Sequence, residues 1–97
     1  MVNVASYCGL TDRNYKQLVE VYEQYHPRGL EIVAFPCNQF LMQEPGSADS
    51  IMCSAQSYKA NFIMMSKISV NGPGIMIDFI VYCLFVCLFI LICFDLF

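Results

Sequence analysis

The 97-residue chain has no tryptophan, one histidine and little charge: 13% of its residues are charged, five basic and eight acidic, for a formal net charge of −3. An average soluble domain carries about a quarter charged residues. Five basic groups form no patch that neutralises phosphates, so nucleic-acid binding has almost no electrostatic support. A lone histidine, His26, with no Cys-x-x-Cys pair leaves no ligand set of zinc-site spacing. Met1-Val2-Asn3-Val4 has neither the basic start nor the apolar run of a secretory signal. The polar part is therefore expected to be cytoplasmic, with reduced thiols. Disorder is excluded by abundance of the other kind, since 58% of residues are hydrophobic and the mean hydropathy is +0.55.

That hydrophobicity is unevenly spread. From Ile75 to Phe97, 21 of 23 residues are apolar, Asp78 and Asp95 being the exceptions. Residues 1–74 hold all five basic groups and six acidic ones, for a net charge of −1. Two units are expected: a domain over 1–74 and a hydrophobic tail over 75–97. Phe79 to Phe94 is an uninterrupted apolar run of 16 residues. As a helix it spans about 24 Å, short of the ~30 Å hydrocarbon core. Starting at Ile75 lengthens it but includes Asp78, so the tail is either a membrane anchor or a stretch from altered reading of the gene. Lys59 and Lys67 would keep the domain of an anchored form on the cytoplasmic side.

Three of the six cysteines (Cys83, Cys87, Cys93) lie in the tail and read as small hydrophobes; Cys8, Cys37 and Cys53 are widely spaced. A disulfide scaffold is not expected. Val2 to Ala5 reads as the end of a strand. Thr11 or Asp12 can cap a helix whose apolar face is Tyr15, Leu18, Val19, Tyr22 and Tyr25. His26-Pro27-Arg28-Gly29 stops it. Leu30 to Phe35 reads as a buried strand ended by Pro36, giving a βαβ core with parallel pairing. Ser47 can cap a second helix through Ile51, Ala55 and Tyr58, and Ile68 to Val70 reads as a short strand. The fold class is α/β.

Cys8 falls between a strand end and a helix N-terminus, where free N–H groups favour an anion and a thiolate is the nucleophilic form of cysteine. The alternative is a buried, inert thiol. Cys37, after an apolar strand, reads more readily as packed. Cys53 lies on the second helix. Gln43 is either a solvated loop residue or an amide donor aimed at sulfur or peroxide oxygen. Glu44-Pro45-Gly46 reads as turn chemistry.

Asn3-Val4-Ala5-Ser6-Tyr7-Cys8-Gly9-Leu10-Thr11 resembles the active-site segment of glutathione peroxidases. Leu30 to Phe40, with Phe35-Pro36-Cys37-Asn38-Gln39-Phe40, is similar to the family's second signature, which Gln43-Glu44-Pro45-Gly46-Ser47 continues. Shorter matches bring the resemblance to residues 2–72. It implies a partial thioredoxin-like fold, followed here by the C-terminal hydrophobic helix. It implies reduction of hydroperoxides by a thiol co-substrate, glutathione or thioredoxin, in the oxidative stress response, with no further cofactor. It assigns Cys8 as the peroxidatic residue and Gln43 as the amide that hydrogen-bonds the reactive atom. In some relatives a second cysteine regenerates the first, and Cys53 lies near that position. Leu41 stands where the family usually has glycine. The family's strand before Asn3 is longer, and its catalytic Trp and Asn lie downstream, in a segment this sequence does not contain. The domain is thus expected to be shortened at both ends and impaired. The alternative function is an inactive thioredoxin-like fragment that binds membranes or other chains.

Overall fold

The computed structural model describes residues 1–72. The tail over 75–97, with its expected helix, its membrane anchor and the domain boundary at residue 74, lies outside the described residues. Among the described residues no helix is long and apolar enough to cross a membrane.

The order of elements is β1 (Val2–Val4), α1 (Thr11–Tyr25), a 3₁₀ turn (His26–Arg28), β2 (Val33–Pro36), α2 (Ala48–Ser57) and β3 (Ile63–Met64). The three strands form one parallel sheet in the order β1-β2-β3. Two successive βαβ units therefore share the central strand β2.

Helix α1 follows its apolar spacing. Tyr15 is buried, and Leu18, Val19 and Tyr22 pack against the core of Val4, Ile32, Ala34, Ala55 and Phe62. Tyr15 stacks on Tyr58 at the end of α2 and on Phe62 before β3, which holds both helices to one side of the sheet. Tyr25 departs from the expected stripe and is exposed. The helix stops as its sequence dictates: Pro27 enters the 3₁₀ turn, and Gly29 takes φ 101°, a left-handed conformation that costs glycine little. Ser47 caps α2 by accepting the Ser50 N–H.

Three expectations are corrected. The cap of α1 is Leu10, with no side-chain bond, because the Thr11 hydroxyl turns back toward β1. Pro36 belongs to β2, and its carbonyl accepts the Ile68 N–H. The third strand is Ile63–Met64 rather than 68–70. Ile63 and Met65 donate to the carbonyls of Ile32 and Ala34, whereas Ile68 reaches β2 through one bond. Where the described residues end, Gln39 acts as a fastener. Its Oε1 accepts the Val70 and Asn71 N–H groups at 2.6 and 2.9 Å, and its Nε2 donates to the Asn71 carbonyl at 2.7 Å.

Candidate active site

The chain leaves β1 at Val4 and must reverse before α1. Thr11 fixes this turn: its hydroxyl donates to the Ala5 carbonyl at 2.7 Å and accepts the Cys8 N–H at 3.2 Å, while its own N–H donates to the Cys8 carbonyl at 3.1 Å. Between these anchors the Cys8 thiol is half-buried, and its Sγ accepts the Leu10 N–H at 3.4 Å. The approach is open. A Cβ at Gly9 would meet nothing within 4 Å, and Tyr7 and Leu10 are exposed.

The turn faces a cavity of about 390 Å³ that Cys8 lines together with Gln43, Cys37, Val4, Leu18 and Phe40. The two residues singled out for chemistry, Cys8 and Gln43, thus border one space. The Gln43 amide makes no hydrogen bond to a described residue and is not bonded to the Cys8 sulfur. Cys37, read from sequence as packed, is indeed buried; it also lines this cavity, with its Sγ 4.0 Å from Gln39 Oε1. Cys53 is exposed on α2 and lines no part of the cavity. All three described cysteines are free thiols.

Across the cavity, the loop before α2 is held to the Cys8 turn by bonds that local sequence reading missed. The Tyr7 N–H donates to the Gln43 carbonyl at 3.0 Å. Glu44, which is fully buried, accepts the Ser6 N–H on Oε2 and the Ser6 hydroxyl on Oε1, both at 3.0 Å. The Glu44 N–H in turn donates to Asn38 Oδ1 at 2.8 Å. The one local hint was a carboxylate beside Gln43, but its partner lies 38 residues earlier. The loop tip is less relaxed: Leu41 and Met42 both adopt left-handed backbone, φ 52° and 53°, and are exposed. Leu41 is therefore strained as its glycine-like position implied.

Tyr15 also borders the cavity. Burial pushes its phenol up to about 12, and the negative charge of Glu44 and the neighbouring Tyr58 add to the effect. Among the described residues no group of three or more His, Cys, Asp or Glu could hold a metal ion. The site's chemistry is that of an accessible sulfur with amide donors in an apolar surround.

The glutathione peroxidase family model matches residues 1–79. The chain belongs to the glutathione peroxidase family. The match passes Gly72, where the motif resemblance stops, and enters the tail. Among curated relatives, the chain is 56% identical over 75 residues to "Probable glutathione peroxidase 2" of Arabidopsis thaliana, covering 76% of this chain and 44% of the relative. It is 55% identical over 75 residues to "Probable phospholipid hydroperoxide glutathione peroxidase" of Mesembryanthemum crystallinum, with the same coverage. It is 53% identical over 74 residues to a chloroplastic phospholipid hydroperoxide glutathione peroxidase of Pisum sativum, covering 75% of this chain and 31% of the relative. The chain thus spans less than half the length of these relatives. Its mixed helices and small parallel sheet fit a partial thioredoxin-like fold.

Proposed function

We propose that the chain is a thiol peroxidase in which Cys8 reduces hydroperoxides and an external thiol, glutathione or thioredoxin, restores it. The observation that supports this best is the Cys8 sulfur: half-buried, in contact with the Leu10 N–H, and opening on a cavity that Gln43 also lines. The sulfur, as thiolate, attacks the terminal peroxide oxygen. The S–O bond forms as the O–O bond breaks, the proton lost by the thiol passes to the departing alkoxide, and an alcohol and a sulfenic acid result. A first reductant thiol condenses with the sulfenic acid, releasing water and leaving a mixed disulfide. A second thiol attacks that disulfide, freeing Cys8 and carrying away the oxidised reductant. Gln43 serves as an amide donor to the peroxide oxygen, and Leu10 N–H as a donor to sulfur. The apolar wall of Val4, Leu18 and Phe40 favours organic hydroperoxides over hydrogen peroxide.

The test is thiol-dependent peroxide consumption by the full chain, with glutathione or thioredoxin, beside Cys8→Ser and Gln43→Ala. Loss of turnover in Cys8→Ser and a fall of about tenfold or more in Gln43→Ala are expected. Equal rates for the parent and Cys8→Ser would rule out the mechanism.

A second reading rests on β1. Among the described residues it is paired on one side only, with β2, and an unpaired edge invites another strand. In that reading the chain is a binding fragment without turnover. Concentration-dependent association together with no peroxide consumption above background would favour it.

A further inference from the structure

Burying a carboxylate is costly unless hydrogen bonds replace the lost water. Glu44 is fully buried. The ion pairs among the described residues are Lys16–Asp12 and His26–Glu31, so no cation is paired with it there. Its oxygens instead receive both donors of one residue, the N–H and hydroxyl of Ser6. Ser6 stands two residues before Cys8, and Gln43 immediately precedes Glu44. With the Tyr7 N–H on the Gln43 carbonyl, three bonds of 3.0 Å join the segment that carries the sulfur to the segment that carries the amide. A fourth, from Glu44 N–H to Asn38, secures the carboxylate's own backbone. Among the described residues no hydrogen bond joins the Gln43 side chain to Cys8 directly.

We propose that Glu44 is a positioning residue for the Cys8 reaction, its carboxylate clamping Ser6 so that sulfur and Gln43 amide face one reacting oxygen. This rests on the peroxidase reading above. Glu44 lines no part of the cavity and touches no reactant; it acts through Ser6 and Gln43. The clamp matters because a misplacement of about 1 Å can lower a rate about a hundredfold.

The experiment uses the full chain with Glu44→Ala, Glu44→Gln, Ser6→Ala and the Ser6→Ala/Glu44→Gln double variant. Two single-turnover rates are read at a temperature where circular dichroism shows each variant folded. One is oxidation of Cys8 by tert-butyl hydroperoxide; the other is alkylation of Cys8 by iodoacetamide, which needs no amide opposite the sulfur. Glu44→Ala is expected to slow oxidation about ten- to a hundredfold while alkylation changes less than about threefold. Glu44→Gln, which keeps one acceptor, recovers part of the loss. The double variant is expected to be no slower than the worse single one, because the two side chains act as a unit. Should Glu44→Ala not fold, Ser6→Ala carries the same comparison from the other end of the clamp. Oxidation unchanged within twofold, or oxidation and alkylation falling by the same factor, overturns the proposal and leaves the peroxidase reading intact. A parent chain whose Cys8 does not react with peroxide at all removes both.

Discussion

The two segments that border the cavity are built on opposite principles. The turn from Ala5 to Thr11 is held by side chains that satisfy the backbone: one Thr11 hydroxyl serves both the Ala5 carbonyl and the Cys8 N–H, and Ser6 is gripped from outside by Glu44. The loop tip at Leu41 and Met42 has two consecutive non-glycine residues in left-handed backbone, with their side chains exposed. One segment gains stability from its side chains and the other loses it. The contrast teaches that the Cys8 turn can be tightly fixed while the tip of the facing loop is strained, because the two segments are joined at Glu44 rather than at the tip.

The contrast can be tested where it is largest. Tyr15 lies under the ordered side and is only 3% exposed. Its phenol is raised from the ordinary 10.0 to about 12, first by burial and then by Glu44 and Tyr58. The folded state therefore holds the proton more tightly than the unfolded chain. The resulting stability is complete below pH 10 and is lost as pH rises from 10 through 12. At most about 2–3 kcal/mol is at stake. Chemical unfolding across that range is expected to show a steeper alkaline loss in the parent than in Tyr15→Phe; parallel slopes would contradict the assignment.

Thr11→Ala comes next. It leaves the Cys8 N–H and Ala5 carbonyl without their partner, at a cost of about 2 kcal/mol and a thermal midpoint lower by about 10 °C. Thr11→Ser, which retains the hydroxyl, should recover most of it. If serine does no better than alanine, packing of the methyl group and not the two hydrogen bonds orders the turn.

On the strained side the sign reverses and the effect is smallest. A left-handed non-glycine residue costs about 1–2 kcal/mol, and glycine gives back about 0.5–1 through the freedom of the unfolded chain. Leu41→Gly is thus expected to raise stability by about 0.5–1 kcal/mol, measured by urea unfolding. A loss of stability would mean that the exposed leucine makes contacts that outweigh its backbone.

Much of the ordered side was legible in the residues themselves. Spacing marked Tyr15, Leu18, Val19 and Tyr22 as the buried face of α1, and Pro27, Gly29 and Ser47 act where local chemistry puts them. The third strand lies at Ile63–Met64 and not at 68–70 because its place is set by pairing with β2, some 30 positions away, which local sequence does not show. Thr11 looked like a cap because a hydroxyl at a helix start usually is one; only the path of the preceding turn shows that its oxygen is already engaged. That Cys8 and Gln43 belong together is implied by resemblance alone, since no local pattern relates positions so far apart; the fold has both bordering one cavity. Glu44 was read as turn chemistry for the same reason: a contact across 38 residues leaves no trace in periodicity.

Gln39 gives the molecule a mechanical link. Its amide grips the backbone at Val70 and Asn71, and the same oxygen lies 4.0 Å from Cys37 Sγ in the cavity wall. A pull transmitted along the polypeptide from downstream would reach this amide and, through it, Cys37 in the lining of the cavity that Cys8 also borders. Tension on the backbone at Val70 and Asn71 would thus be felt in the wall of the cavity that Cys8 borders.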